Sequence, residues 1–217
     1  MILQLGKEID HIRAMIIEMA TLVEEAVRNA NEAFLKLNIE LAHSVIYKDS
    51  EINSMELKID KEVFECLALK APVASDLRFL FAIQKINKDL ERIGDHAVNI
   101  AQSAINCNNL QQPMVGPDIE FMVSCTINML SDSINSIVKL DTQLALKVLE
   151  QDDQVDNLNK SITREVIKMV KKNAASVEGA LELLRVSKNL ERIADLSTNI
   201  SEDVIFHANA KDIKHAK

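Results

Sequence analysis

The chain contains few of the residues that make turns and few aromatic side chains. Its 217 residues include four glycines, three prolines, one tyrosine and no tryptophan, while 47% of them are apolar. Sheet proteins need frequent turns and favour aromatic and β-branched residues, so this composition favours long helices. The core must then be built from Leu, Ile, Val, Ala and Met side chains.

Other absences exclude whole classes of protein. No run of 18 apolar residues occurs, so we expect no membrane-spanning helix, and charged residues near the N-terminus argue against a signal peptide. The net charge of −8 argues against non-specific binding to nucleic acid. The three cysteines (Cys66, Cys107 and Cys125) form no CxxC pair and fit a reducing cytoplasm. We therefore expect a cytoplasmic protein.

One short phrase occurs twice, one hundred residues apart. The segment KDLERIGD at 88–95 returns as KNLERIAD at 188–195, with six of eight positions identical. Asn99-Ile100 and Asn199-Ile200 extend the match by a further turn of helix. Self-similarity at a fixed period is typical of an internally repeated architecture, so the chain is predicted to contain two copies of one unit.

The boundary between the two units is predicted near residue 110. Two of the three prolines lie in the uncharged segment 107–117, and proline disfavours continuous helix. Apolar spacing before it predicts helices over about 5–37, 38–70 with Asn38 as N-cap, and a third through the repeated phrase to about 106. The second half repeats this plan at an offset of 103, which falls to 100 at the phrase and predicts a turn near 173–176. The predicted fold is all-α, with two tandem, pseudo-symmetric antiparallel three-helix bundles over 1–109 and 110–217.

The repeated phrase places acidic residues four positions apart on a helix. Glu91 and Asp95 form one such pair, and Glu191 and Asp195 form the other. Side chains at this spacing are neighbours, and two acids so placed repel by a few tenths of a kcal/mol unless something positive compensates.

The middle helices carry a second set of acids at the same spacing. Asp152 and Asp156 lie on the middle helix of the second half, and their counterparts in the first half are Asp49 and Asn53. Middle and third helices are adjacent in an antiparallel bundle, so their carboxylates are expected to face each other and offer oxygen ligands to hard or borderline cations. Because Asn53 replaces one acid, we predict that the second half holds the better metal site.

A salt-bridged helix face is an alternative explanation of the same spacing. Lys88 precedes Glu91 by three residues and Arg92 precedes Asp95 by three, and both pairs recur at Lys188 and Arg192. The spacing leaves a metal site and an ordinary set of ion pairs both open.

Two further expectations concern His96 and the aromatic residues of the third helix. His96 points roughly 100° away from Asp95, which favours a surface position or an interhelical hydrogen bond over metal ligation. Most of the apolar cluster around Phe79 and Phe81 is expected to lie in the core, but these two rings cannot both face the same way as Leu80. An exposed aromatic ring there would be a patch for contact with a partner.

The stretch LERIGDHAVNI at 90–100 resembles the signature of the PhoU family of phosphate-transport regulators. So do APVASDLR at 71–78 and the second copy of the phrase, and the resemblance covers essentially the whole chain. It implies a cytoplasmic adaptor, often a homodimer, that restrains phosphate uptake when phosphate is plentiful. Its implied partners are the ATP-binding subunit of the phosphate ABC transporter and the phosphate-sensing histidine kinase. No nucleic acid is implied, and the membrane is reached only through these proteins.

The resemblance also implies metal binding through E(D)xxxD motifs. The ions would be divalent or trivalent (iron, zinc, manganese, magnesium or nickel), in some members as multinuclear clusters. The alternative is a carboxylate-ligated metal protein that serves as an oxidase, a hydrolase or a metal store, although histidine ligands and catalytic motifs are lacking. The positions of this chain that match are Glu91, Asp95, Glu191, Asp195, Asp152 and Asp156, with Asp49 as the remaining acid of the first half.

Overall fold

The computed structural model describes residues 2–72, 74–110, 117–172 and 177–209. These residues form six helices, which confirms the predicted all-helical fold. The predicted turn at 173–176 lies outside the described residues. No helix in the described ranges is both long and apolar enough to cross a membrane. The helices are α1 (Ile2–Lys36), α2 (Ile39–Lys70), α3 (Ala74–Asn109), α4 (Pro117–Lys139), α5 (Thr142–Lys172) and α6 (Val177–Asn209).

The turns that join the first two helices of each half have the same construction. Asn38 caps α2, as predicted, and its side chain accepts a hydrogen bond from the backbone N–H of Leu41 at 3.0 Å. Asp141 does the same at α5, where its Oδ1 accepts from the N–H groups of residues 143 and 144. The residue before each cap is a leucine with positive φ, 52° at Leu37 and 51° at Leu140. The repeat therefore extends to backbone detail.

The six helices form two three-helix bundles. Helices α1, α2 and α3 all contact one another, and so do α4, α5 and α6. The bundles meet where α3 packs on α6 and α1 packs on α4. Aliphatic side chains fill both cores, and the largest fully buried ones include Ile16, Leu90, Ile93 and Ile100.

Helices α3 and α6 run antiparallel at the contact between the bundles. His96 hydrogen-bonds Asn189, and Asn106 hydrogen-bonds Glu182, so a step forward along α3 is a step backward along α6. The two copies of the repeated phrase therefore lie side by side at the centre of the molecule. The expectation of an interhelical role for His96 is confirmed.

Of the two phenylalanines on α3, Phe79 is buried and Phe81 is exposed. The Phe79 ring meets the ring of His207 edge to face at 5.4 Å between centroids, and the guanidinium of Arg13 lies over it at 4.9 Å. Phe81 keeps 55% of its surface exposed. The two rings therefore face different ways, as expected, and Phe81 is the exposed one.

Candidate cation-binding faces

Helices α2 and α3 together present a surface that we call the first acidic face. Helix α2 contributes Asp49 and helix α3 contributes Glu91 and Asp95, and the charge of Asp95 helps to raise the pKa of both Asp49 and Glu91. The packing that brings them together is tight. A Cβ added at Gly94 would lie 3.2 Å from Cδ1 of Ile52 and 3.6 Å from Oδ1 of Asp49. The face comprises Asp49, Asn53, Glu56 and Asp60 of α2 and Lys88, Glu91 and Asp95 of α3.

Two buried oxygens on this face have no hydrogen-bond partner. Oδ2 of Asp49 accepts from Nδ2 of Asn53 at 2.9 Å, while Oδ1 of each residue is buried and unpartnered. Burial raises the pKa of Asp49, the hydrogen bond from Asn53 lowers it, and the charge of Asp95 raises it again. A cation near these oxygens would offset the cost of burying them without a partner. Carboxylate and amide oxygens are also the donor types that hard cations prefer, so the chemistry of the face suits the implied metal.

Lysine neutralises part of this face. Nζ of Lys88 lies 2.9 Å from Oε1 of Glu56 and 3.7 Å from Oε2 of Glu91. The pKa of Glu91 is nevertheless raised, chiefly by burial and then by Asp95, and Lys88 opposes the shift only in part. The ammonium group therefore does not cancel the accumulated negative charge.

Two acids on the face were missed by the sequence analysis. Glu56 pairs with Lys88, and Asp60 accepts hydrogen bonds from Gln84 at 2.7 Å and Asn87 at 2.8 Å. They follow Asp49 at seven and eleven residues, a helical spacing that continues the same stripe. The signal was available in the sequence, because Glu56 and Asp60 are themselves four residues apart and match the E(D)xxxD pattern that the sequence analysis applied only to the other acids.

The second acidic face occupies the corresponding position on α5 and α6. Burial raises the pKa of Asp195, and so do Glu191 and Asp156, while the nearby arginine and lysine of α6 lower it. A hydrogen bond between the middle and third helices also recurs in this half, because Oγ of Ser187 donates to Oδ1 of Asn159 at 2.7 Å. This face comprises Asp152, Asp156 and Asn159 of α5 and Lys188, Glu191 and Asp195 of α6, all partly buried except the exposed Lys188.

The predicted ion pairs form only in part. Lys88 pairs with Glu91 and Lys188 with Glu191, as the spacing predicted. Arg92 instead pairs with Asp89, at 3.5 Å. Lys160 adds a 3.8 Å contact with Asp156 on the second face.

The structure brings the predicted site residues together as two separate groups. Asp49, Glu91 and Asp95 meet on the first face, and Asp156, Glu191 and Asp195 meet on the second, with Asp152 one turn before Asp156. As placed, the described side chains form no group of three or more His, Cys, Asp or Glu that could hold a metal ion. Metal binding therefore stays a prediction, and it would require these carboxylates to turn toward a common point.

Comparison with known proteins identifies the family. The PhoU domain model matches residues 16–104 and 119–204, on either side of the predicted boundary at 109/110, whose position stays a prediction. The phosphate-specific transport system accessory protein PhoU homolog of Aquifex aeolicus is 39% identical, over 98% of this chain and 96% of its own length. The Escherichia coli accessory protein PhoU is 29% identical, over 98% and 88%.

Solved structures agree with the sequence comparisons. PhoU from Pseudomonas aeruginosa superposes with a TM-score of 0.93 at 32% identity, covering 95% of this chain and 99% of that one. The phosphate transport system regulatory protein PhoU from Streptococcus pneumoniae gives 0.89 at 26% identity, covering 96% and 98%. This family is regulatory and not enzymatic, which confirms the expectation that the chain is not an enzyme. With two PhoU domains along its length, the chain belongs to the PhoU family of phosphate transport accessory and regulatory proteins.

Proposed function

We propose that this protein is a cytoplasmic negative regulator of phosphate uptake and of the phosphate-starvation response. It acts as an adaptor between the ATP-binding subunit of the phosphate ABC transporter and the phosphate-sensing histidine kinase when phosphate is plentiful. The observation that carries the proposal is the recurrence of the acidic face in both halves of a chain that matches PhoU proteins along its length.

Metal ions are proposed to bind both acidic faces. Divalent or trivalent ions would be held by Asp49, Glu91 and Asp95 on the first face and by Asp152, Asp156, Glu191 and Asp195 on the second. A bound cation neutralises carboxylates that otherwise repel, and so holds the middle helix of each bundle against the third. The unpartnered oxygens of Asp49 and Asn53 support this role. Metal occupancy would in this way set the shape that the faces present to a partner.

The alternative, an oxidase or hydrolase built on carboxylate-bound metals, is not favoured because the family is not enzymatic. No observation specifically supports a role in metal storage. We propose a homodimer on the resemblance alone.

The experiment is an affinity pull-down of the tagged protein from phosphate-replete cells of the source organism. The wild type is compared with Glu91→Ala/Glu191→Ala, which removes one acid from each face. The matched control is Glu18→Ala/Glu120→Ala, which removes one exposed acid from α1 and one from α4. Circular dichroism verifies that all three proteins are folded.

We expect the wild type and the control to recover the transporter ATP-binding subunit or the kinase, and the face variant to lose it. Failure of the wild type to recover either protein would refute the adaptor function. Full recovery by the folded face variant would show that signalling uses another surface.

A further inference from the structure

Two large apolar side chains are exposed at one end of the first acidic face. Phe64 of α2 keeps 61% of its surface exposed and Phe81 of α3 keeps 55%. The register of the helix pair places them opposite each other. Lys88 meets Glu56 and Gln84 meets Asp60, and one further turn in the same direction sets Phe81 against Phe64.

The same exposed apolar pair recurs in the second half. Ile167, 48% exposed, follows Phe64 by 103 residues, and Leu181, 59% exposed, follows Phe81 by 100. These are the two offsets that relate the halves elsewhere. Single exposed apolar residues are ordinary on a protein surface. Here a facing pair of exposed apolar residues recurs in both halves, although the residue types at these positions differ. This recurrence indicates a functional surface.

Each apolar pair continues an acidic face. On α2 the stripe runs from Asp49 through Glu56 and Asp60 to Phe64. The first face therefore joins an aromatic patch to a surface with five carboxylates and one lysine, namely Asp49, Glu56, Asp60, Glu91 and Asp95 with Lys88. The second face has four carboxylates, from Asp152, Asp156, Glu191 and Asp195, and two lysines, Lys160 and Lys188. Exposed Arg164, Lys168 and Lys171 lie near Ile167, so this face is less acidic than the first and is expected to bind a basic ligand more weakly.

We propose that each acidic face, with its apolar pair, is a docking groove for a basic amphipathic helix of a partner protein. The apolar side of that helix would cover Phe64 and Phe81, or Ile167 and Leu181, and its lysines and arginines would lie along the carboxylates. The incoming segment becomes the fourth helix of a bundle that has three. This inference rests on the proposed adaptor function and names the chemistry that its partners must present.

Charge selects this occupant over others. A second copy of the chain would bring the same carboxylates to the groove, and an anionic membrane or a nucleic acid would bring negative charge as well. When the carboxylates hold no metal ion, a basic ligand gains electrostatic energy here, and an amphipathic one also covers the apolar pair. Two grooves per chain further imply two such helices, or a two-fold symmetric partner.

The test uses a synthetic helical peptide of about 20 residues, with Leu and Phe at i, i+3, i+4 and i+7 and Lys on the other positions. A peptide of identical composition in scrambled order is the control ligand. Isothermal titration of the metal-free protein, in chelator at physiological salt, measures affinity and stoichiometry. We expect two amphipathic peptides per chain, with an affinity at least about tenfold higher than that of the scrambled peptide. Equal affinity for both peptides would overturn the proposal.

Variants locate the binding. Phe81→Ser/Leu181→Ser is expected to weaken peptide binding at least about tenfold, and Phe81→Ser alone to leave one peptide bound per chain. The control Tyr47→Ser/Phe121→Ser removes two exposed aromatic side chains, 80% and 51% exposed, from other surfaces and should change nothing. An equal loss in the control would overturn the proposal.

The outcome separates this inference from the proposed function. Peptide binding at the grooves, without recovery of the transporter subunit or the kinase from cells, would support the docking surface and refute those partners. Undiminished recovery of both proteins by Phe81→Ser/Leu181→Ser would refute the docking surface and leave the adaptor function intact.

Discussion

The fold destabilises the charged form of the Asp49 side chain. Burial and the neighbouring Asp95 raise its pKa, and one of its oxygens lacks a partner. A carboxylate with a raised pKa binds more protons in the native state than in the unfolded state. The stability it contributes is therefore present in acid, below its ordinary pKa, and is lost as the pH rises through the raised value. At neutral pH the charge of Asp49 therefore lowers the free energy of unfolding of the metal-free protein.

The substitution Asp49→Asn is expected to stabilise the metal-free protein at pH 7. The new amide oxygen can still accept from Asn53, while the charge is gone. Because the site is partly exposed and solvent screens it, we expect the free energy of unfolding to rise by only roughly 0.5 kcal/mol, the scale of a like-charge helix pair. Urea denaturation in chelator measures this gain, which should shrink as the pH falls toward the ordinary pKa of aspartate. A loss of stability at pH 7 would contradict this account of the face.

His96 makes the hydrogen bond across the centre of the molecule, 2.8 Å from its Nδ1 to Oδ1 of Asn189. Because Nδ2 of Asn189 donates to the backbone carbonyl of Arg185, we assign the proton of this bond to the histidine. His96→Leu should cost about 1–3 kcal/mol of unfolding free energy, since the amide oxygen loses its partner. Adding Asn189→Leu should recover part of that cost in chemical denaturation. Simple additivity of the two substitutions would contradict a direct pairing.

At the scale of the helices, the contact between the middle and third helices is packed differently in the two halves. Gly94 of α3 leaves room for Ile52 of α2, whose Cδ1 would lie 3.2 Å from an added Cβ. At the equivalent positions of the second half stand Ala194 and Val155, both buried. Valine lacks the Cδ1 atom of isoleucine, and alanine has the Cβ atom that glycine lacks. The second half therefore has one carbon fewer on the middle helix and one more on the third helix at this contact. This explains why alanine is tolerated in the second copy of the repeated phrase.

The effect of Gly94→Ala is expected to depend on residue 52. Alanine gains about 1 kcal/mol of helix propensity over glycine, but crowding against Ile52 offsets it by about 1–3 kcal/mol. In an Ile52→Val background the crowding is relieved and Gly94→Ala should be stabilising. A double-mutant cycle by chemical denaturation measures the coupling, for which we expect about 1 kcal/mol. An identical effect in both backgrounds would contradict the proposed exchange.

The helices could be predicted from local sequence signals, whereas the contacts between side chains of the folded protein could not. The cap at Asn38 and the apolar spacing of α1 act within one turn of helix, so the sequence indicated them directly. The partner of Arg92 could not be predicted in this way, because Asp89 and Asp95 are equally spaced from it and the fold decides between them. Asp60 could have been predicted, because it follows Glu56 at the E(D)xxxD spacing. Its hydrogen-bond partners could not, because they are amides of α3 more than twenty residues away.

At the scale of the whole molecule, the internal repeat predicted two bundles but not how they meet. The antiparallel contact of α3 with α6 depends on which apolar stripes are left over after each bundle has formed. It places the repeated phrases back to back, each with its acids turned toward its own middle helix. The two faces are therefore separate sites with separate ligands, and they need not be equal.

The second face is predicted to hold metal more tightly than the first. It has Asp156 where the first face has Asn53, and a carboxylate is the stronger ligand for a hard cation. Asp152→Ala should consequently remove more bound metal than Asp49→Ala after dialysis against a fixed metal concentration. Elemental analysis by mass spectrometry gives the ions per chain, and Glu18→Ala serves as the control. Comparable losses from the two variants would contradict this ranking.

The central claim is that this protein restrains phosphate uptake through its acidic faces. The most direct measurement is the initial rate of radiolabelled phosphate uptake, in high phosphate, by cells that lack the protein and carry one variant of it. The wild type and Glu18→Ala/Glu120→Ala should hold uptake low, whereas Glu91→Ala/Glu191→Ala, at equal protein level, should leave it as high as in cells without the protein. Uptake that is the same with and without the wild-type protein would contradict the account.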